Sequence, residues 1–130
     1  MKKLILVSLL VLSAQAGAQA LDGKQIFASN CAACHQVTGL GIPGAFPALK
    51  GNKFVQGEPS AVMATVLKGR GGMPTFAESL DDASLATVIS YVRSGWGNTA
   101  SPVTADDVKA MRAKTNSVDV EKKEQPTNIH

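Results

Sequence analysis

Two thiols and an imidazole stand together early in this chain, in the run Cys31-Ala32-Ala33-Cys34-His35. Three chemistries use cysteines at this spacing. A thioredoxin-like redox pair needs a βαβ frame, and no alternating, strand-like run flanks the motif. A zinc site needs four ligands, and the only other histidine is His130, at the end of a polar tail. Neither of these readings is well supported. The third is covalent haem. Two thiols about one helical turn apart can add across the two vinyl groups of a porphyrin, and the following imidazole then meets the iron from the same side. The motif therefore predicts one haem c, with Cys31 and Cys34 as its thioether attachments and His35 as an axial ligand.

A second axial ligand decides between electron transfer and ligand chemistry. Beyond the initiator, the chain offers Met63, Met73 and Met111. Met63 and Met111 lie on helical patterns among other apolar residues, where a flexible core side chain is the ordinary reading. Met73 sits in Gly69-Arg70-Gly71-Gly72-Met73-Pro74, where no helix can continue and where backbone can approach a planar ligand. It is the candidate sixth ligand. His130 is the fallback, at the entropic disadvantage of a chain end.

The elements that must position these residues read as helices. A first helix is expected from about Asp22, as N-cap, to Ala33, and a long loop from Gln36 to Pro59 is dense in glycine and proline. A second helix is expected from Pro59 to Lys68, stopped by Gly69, with Val62, Met63, Val66 and Leu67 on one face. A third starts near Asp81 with a Leu80–Leu85 staple and ends at Gly95. Thr104 and Asp107 make a capping box for a short fourth helix, and residues 115–130 read as a disordered polar tail. No strand is expected.

The chain has 130 residues, of which 45% are hydrophobic, and a net charge of +3, which allows one domain. Residues 1–20 read as a signal peptide: Lys2 and Lys3, the apolar run Leu4 to Leu12, then small residues closing on Ala18-Gln19-Ala20. That run is too short for a permanent membrane anchor, and the segment predicts export. Removing Lys2 and Lys3 takes away most of the positive charge, so no nucleic-acid partner is suggested. A local basic group remains, Lys50, Lys53, Lys68 and Arg70, with Glu58 the one acid in that segment.

With these motifs in place, residues 22 to 94 resemble a class I c-type cytochrome. Gly23 and Phe27 match the first-helix pair that packs against an aromatic on the last core helix, here Tyr91. Pro47 matches the proline whose carbonyl binds the axial histidine, Leu49 a haem-packing leucine, and Met73-Pro74 the axial methionine segment. The wording from Gly41 to Asn52, and the ending Tyr91 to Asn98, resemble cytochrome subunits or domains of bacterial periplasmic oxidoreductases. The resemblance implies an all-α cytochrome c fold, spanning residues 21–114, with three core helices and a short C-terminal helix around one covalent haem. It implies an electron carrier rather than an enzyme, monomeric when free, with redox partners such as a periplasmic dehydrogenase, reductase or terminal oxidase. The rivals are a permanently bound subunit of such a complex and a gas-binding or peroxide-reducing haem protein.

Overall fold

A computed structural model of the chain describes residues 22–124. The segment 1–20 expected to be a signal peptide, His130 and the rest of the chain beyond Glu124 lie outside the described residues. Among the described residues are five α-helices and one 3-10 turn: α1 (Gly23–Asn30), α2 (Ala32–His35), α3 (Pro59–Lys68), α4 (Asp82–Ser94), the 3-10 turn Gly95–Gly97, and α5 (Ala105–Glu124). Among the described residues there is no strand, only the isolated bridges Ile42–Phe46 and Arg70–Met73.

Local chemistry sets the helix ends. Asp22 Oδ1 accepts from Gln25 N at 2.8 Å, and the Gln25 side chain accepts from Asp22 N at 3.1 Å, a reciprocal capping box. The single helix expected as far as Ala33 is instead broken at Cys31. There Asn30 Nδ2 donates back to the Ile26 carbonyl at 2.9 Å, competing with the helical ladder at its last turn. Cys31 O then restarts the ladder by accepting from Cys34 N and His35 N. The helix α3 begins and ends where proline and glycine direct, with Gly69 at φ 75°. The helix α4 is capped by Asp81 Oδ1, which accepts from Ser84 N at 2.7 Å, and Leu80 packs on the core beside the fully buried Leu85.

The C-terminal helix corrects the expected boundary. Its Thr104–Asp107 box forms as expected, but the helix is not short. It continues past Lys114 to Glu124, through residues expected to be disordered. No glycine or proline interrupts 105–124, so the weak apolar content limits burial without stopping the helix. Lys68 Nζ also meets Asp119 Oδ1 at 3.3 Å, linking this extension to the end of α3.

One core joins the helices, with Ile26 and Phe27 from α1, Val62, Met63 and Leu67 from α3, Leu85, Val88 and Ile89 from α4, Val103 just before α5 and Val108 on it. The crossing of α1 and α4 depends on Gly23: a Cβ there would lie 2.5 Å from Tyr91 Cβ. Beside this crossing Phe27, Tyr91 and Trp96 form an aromatic trio with ring centroids 5.1–5.7 Å apart.

Candidate cofactor-binding site

The break at Cys31 puts the two thiols at the two ends of one helical turn, both half-buried and neither in a disulfide. Burial pushes the Cys31 thiol up to about 11, with Cys34 nearby adding to the effect. A redox-active dithiol needs the opposite, a thiolate at neutral pH. Among the described residues, no three or more His, Cys, Asp or Glu side chains gather as a metal site.

His35 ends α2 and is 8% exposed. Its Nδ1 lies 2.9 Å from the carbonyl of Pro47, twelve residues away. A carbonyl only accepts, so Nδ1 carries the proton and the Nε2 lone pair is left for a metal. The loop folds tightly to bring that carbonyl home. Gly41 N donates to His35 O at 2.9 Å, and Leu49 N and Lys50 N both donate to Gly39 O. At Gly41, where φ is +62°, a Cβ would come within 2.6 Å of the Pro47 oxygen, so no other residue fits beneath this carbonyl. Leu49 is half-buried and packs against the core. Cys31, Cys34, His35, Pro47 and Leu49 thus form one neighbourhood.

Met73 comes from a separate turn after α3. Arg70 N donates to Met73 O at 3.1 Å and Met73 N to Arg70 O at 3.0 Å, closing a hairpin-like turn over Gly71 and Gly72. The turn is held on α3 by Phe76 N donating to Val66 O at 3.1 Å and by Thr75 Oγ1 donating to Leu67 O. The Arg70 guanidinium stands 5.6 Å from the Phe54 ring centroid, tying this turn to the loop that follows Pro47. The other two methionines are spent on packing: Met63 is buried in the core and Met111 packs against it. Met73 is half-buried and outside that cluster.

The donor set fits a covalent haem: two thiols one turn apart, an imidazole with Nε2 free, and a thioether on a constrained turn. The loop also shows apolar side chains that a flat apolar group would cover, with Ile42, Phe46 and Phe54 each 37–41% exposed.

Two buried polar residues were given no role by sequence reasoning. Arg93, 3% exposed, donates to the carbonyls of Val55, Gly57 and Ser101. Asn98, 4% exposed, ties α4 to the loop after Pro47. Both lie in the Tyr91–Asn98 stretch singled out as a motif, but their loop partners are 36–49 residues away, so only the fold shows what they bind.

Comparison with known proteins adds to this geometry. Residues 18–92 match the family model described as cytochrome C oxidase, cbb3-type, subunit III. The chain is 35% identical, over 133 aligned positions, to a cytochrome c-552 of Thermus thermophilus, covering 86% of this chain and 88% of that protein. It is 37% identical to cytochrome c6 of Diacronema lutheri, over 58% of this chain and 95% of the relative. It is 33% identical to the cytochrome c subunit of the quinone alcohol dehydrogenase of Gluconobacter oxydans, over 74% of this chain, and spans 23% of that subunit's length.

Proposed function

This chain belongs to the c-type cytochromes, and from that premise we propose that it is a periplasmic monohaem carrier whose haem is held by Cys31 and Cys34 and ligated by His35 and Met73. It binds one haem c covalently and transfers electrons to and from redox partner proteins, rather than catalysing a reaction of its own. When bound, the haem supplies a one-electron Fe(III)/Fe(II) couple. The chain's residues tune and shield that couple. Pro47 fixes the tautomer and plane of His35. The Met73 turn, braced on α3, offers a soft thioether that favours the ferrous state, and the apolar side chains Ile42, Phe46 and Phe54 of the loop would cover the haem.

The observation that carries this reading is the 2.9 Å contact of His35 Nδ1 with Pro47 O, formed across a twelve-residue loop next to two thiols one turn apart. The rival gas-binding reading requires an open or labile sixth position. Reversible potentiometric titration should give a single one-electron wave, and the ferrous protein should not bind carbon monoxide at neutral pH. Ready carbon monoxide binding would overturn the proposal in favour of the rival.

Docking at the surface around the half-buried Cys31 and Cys34 would be weak, as suits a carrier that must dissociate quickly. Of the basic group, Lys68 is engaged by Asp119 and Arg70 stacks on Phe54, whereas Lys50 and Lys53 are exposed and have no ion-pair partner among the described residues. Those two lysines are the candidates for meeting an acidic partner, and the names of several relatives point to a dehydrogenase as that partner. Rates of reduction by such a donor should fall as salt is raised. Salt-independent rates remove Lys50 and Lys53 from docking.

A further inference from the structure

The turn after α4 is bound to the loop around His35 more closely than a helix end requires. Asn98 uses its whole amide: Oδ1 accepts from Gly51 N at 2.8 Å, and Nδ2 donates to Leu49 O at 3.1 Å and to Val92 O at 2.9 Å. One side chain thus joins two points of the loop to the last turn of α4. Two residues earlier, Trp96 Nε1 donates to Val37 O at 3.0 Å, and the indole lies directly over Gly39. Trp96 itself has φ 54° and ψ 28°. A bulky residue keeps that left-handed conformation only where its surroundings over-determine it. These contacts bracket Pro47, with Val37 and Gly39 before it and Leu49 and Gly51 after it. Gly39 O closes the bracket by accepting from Leu49 N and Lys50 N.

We infer that the Trp96–Asn98 turn is a latch that positions the Pro47 carbonyl on His35 Nδ1 and so sets the donor strength of the axial imidazole. Trp96 and Asn98 are positioning residues, acting on the haem through the loop. The inference rests on His35 being the axial ligand, as proposed above. A carbonyl held on Nδ1 makes Nε2 a stronger donor, which favours Fe(III). Loosening the latch lets the carbonyl drift, weakens the donor and raises the reduction potential.

The test uses the full haem-loaded protein with ¹⁵N-labelled histidine. In Asn98→Ala and Trp96→Phe, the Fe(II)/Fe(III) ratio at the wild-type midpoint should rise by about threefold or more, tenfold being about 59 mV for a one-electron couple. Exchange of the His35 Nδ1 proton with deuterium should quicken in both. Val108→Ala, a truncation at a fully buried site on α5, destabilises without touching the latch and should move neither readout. The latch is refuted if both latch variants keep the wild-type potential and exchange rate, or if Val108→Ala shifts them equally. Should Asn98→Ala fail to hold haem, Trp96→Phe decides alone, since it keeps a ring over Gly39 and removes only the N–H donor. A wild type with no Nδ1 proton on a haem-shifted imidazole would refute the ligand assignment instead, whereas a present but unresponsive proton refutes only the latch.

Discussion

Replacing Gly23 by alanine should weaken the fold at the α1–α4 crossing. The added Cβ would lie 2.5 Å from Tyr91 Cβ and 2.9 Å from the Thr87 carbonyl oxygen, where carbon atoms settle at about 3.5–4.0 Å. Neither neighbour is the free end of a flexible side chain. The helices must part by about 1 Å, and the strain reaches the Phe27–Tyr91–Trp96 trio beside the haem motif. Overpacking of this kind costs about 1–3 kcal/mol. Gly23 is the first residue of α1, so alanine's advantage over glycine, about 0.5–1 kcal/mol in a helix interior, offsets little of it. The net loss of about 1–3 kcal/mol lowers Tm by about 4–24 °C for a domain of this size. Gly95 gives the contrast: its φ of −78° suits any residue, and a Cβ there meets nothing within 4 Å. Gly95→Ala should be neutral or stabilising, by up to about 1 kcal/mol. Thermal unfolding of the two oxidised holo-proteins, followed by far-UV circular dichroism, makes the comparison. A Gly23→Ala protein as stable as Gly95→Ala would refute the reasoning, because propensity alone would then govern the site.

Other outcomes follow from single contacts. Arg93→Met strands the carbonyls of Val55, Gly57 and Ser101, at about 1–3 kcal/mol for each buried group left unpaired; urea midpoints should fall, and Arg93→Lys should recover only part because an ammonium cannot span the same fork. Backbone N–H donors from Ser84 and Thr104 hold the carboxyls of Asp81 and Asp107 below their ordinary 3.8. The unfolded chain therefore binds protons more readily, so their contribution is present above that value and is lost as pH falls through the lower folded values. Asp81→Asn with Asp107→Asn, which keep neutral caps, should flatten the decline of Tm between about pH 5 and 2. The two ion pairs should differ. Asp119→Ala breaks an exposed pair and should change stability by about 0–1 kcal/mol. Arg112→Ala also removes donors to the Ala77 and Leu80 carbonyls and should hasten hydrogen exchange at the start of α4, leaving α1 unaffected.

Much of this molecule could be read from residue types, for reasons that differ by element. The limits of α3 were legible because Pro59 and Gly69 act locally, through backbone geometry. The break at Cys31 was not, since the Asn30 back-bond that ends α1 leaves no mark on the apolar periodicity. The length of α5 was misjudged because scarce apolar residues were weighed above helix propensity in a stretch free of glycine and proline. At the site, covalent attachment imposes a spacing, so Cys31, Cys34 and His35 stood out in sequence. The Pro47 contact was reached only by family resemblance, since nothing local marks one carbonyl among a loop of them. Arg93 and Asn98 act through partners distant in sequence, and their roles require the fold.

The visible spectrum of the oxidised protein, wild type beside Met73→Ala, tests the central assignment most directly. The wild type should show a thioether-to-iron charge-transfer band, and Met73→Ala should lose it while keeping covalently attached haem. A band that survives in Met73→Ala, or is missing from the wild type, would contradict a His35/Met73 electron-transfer haem.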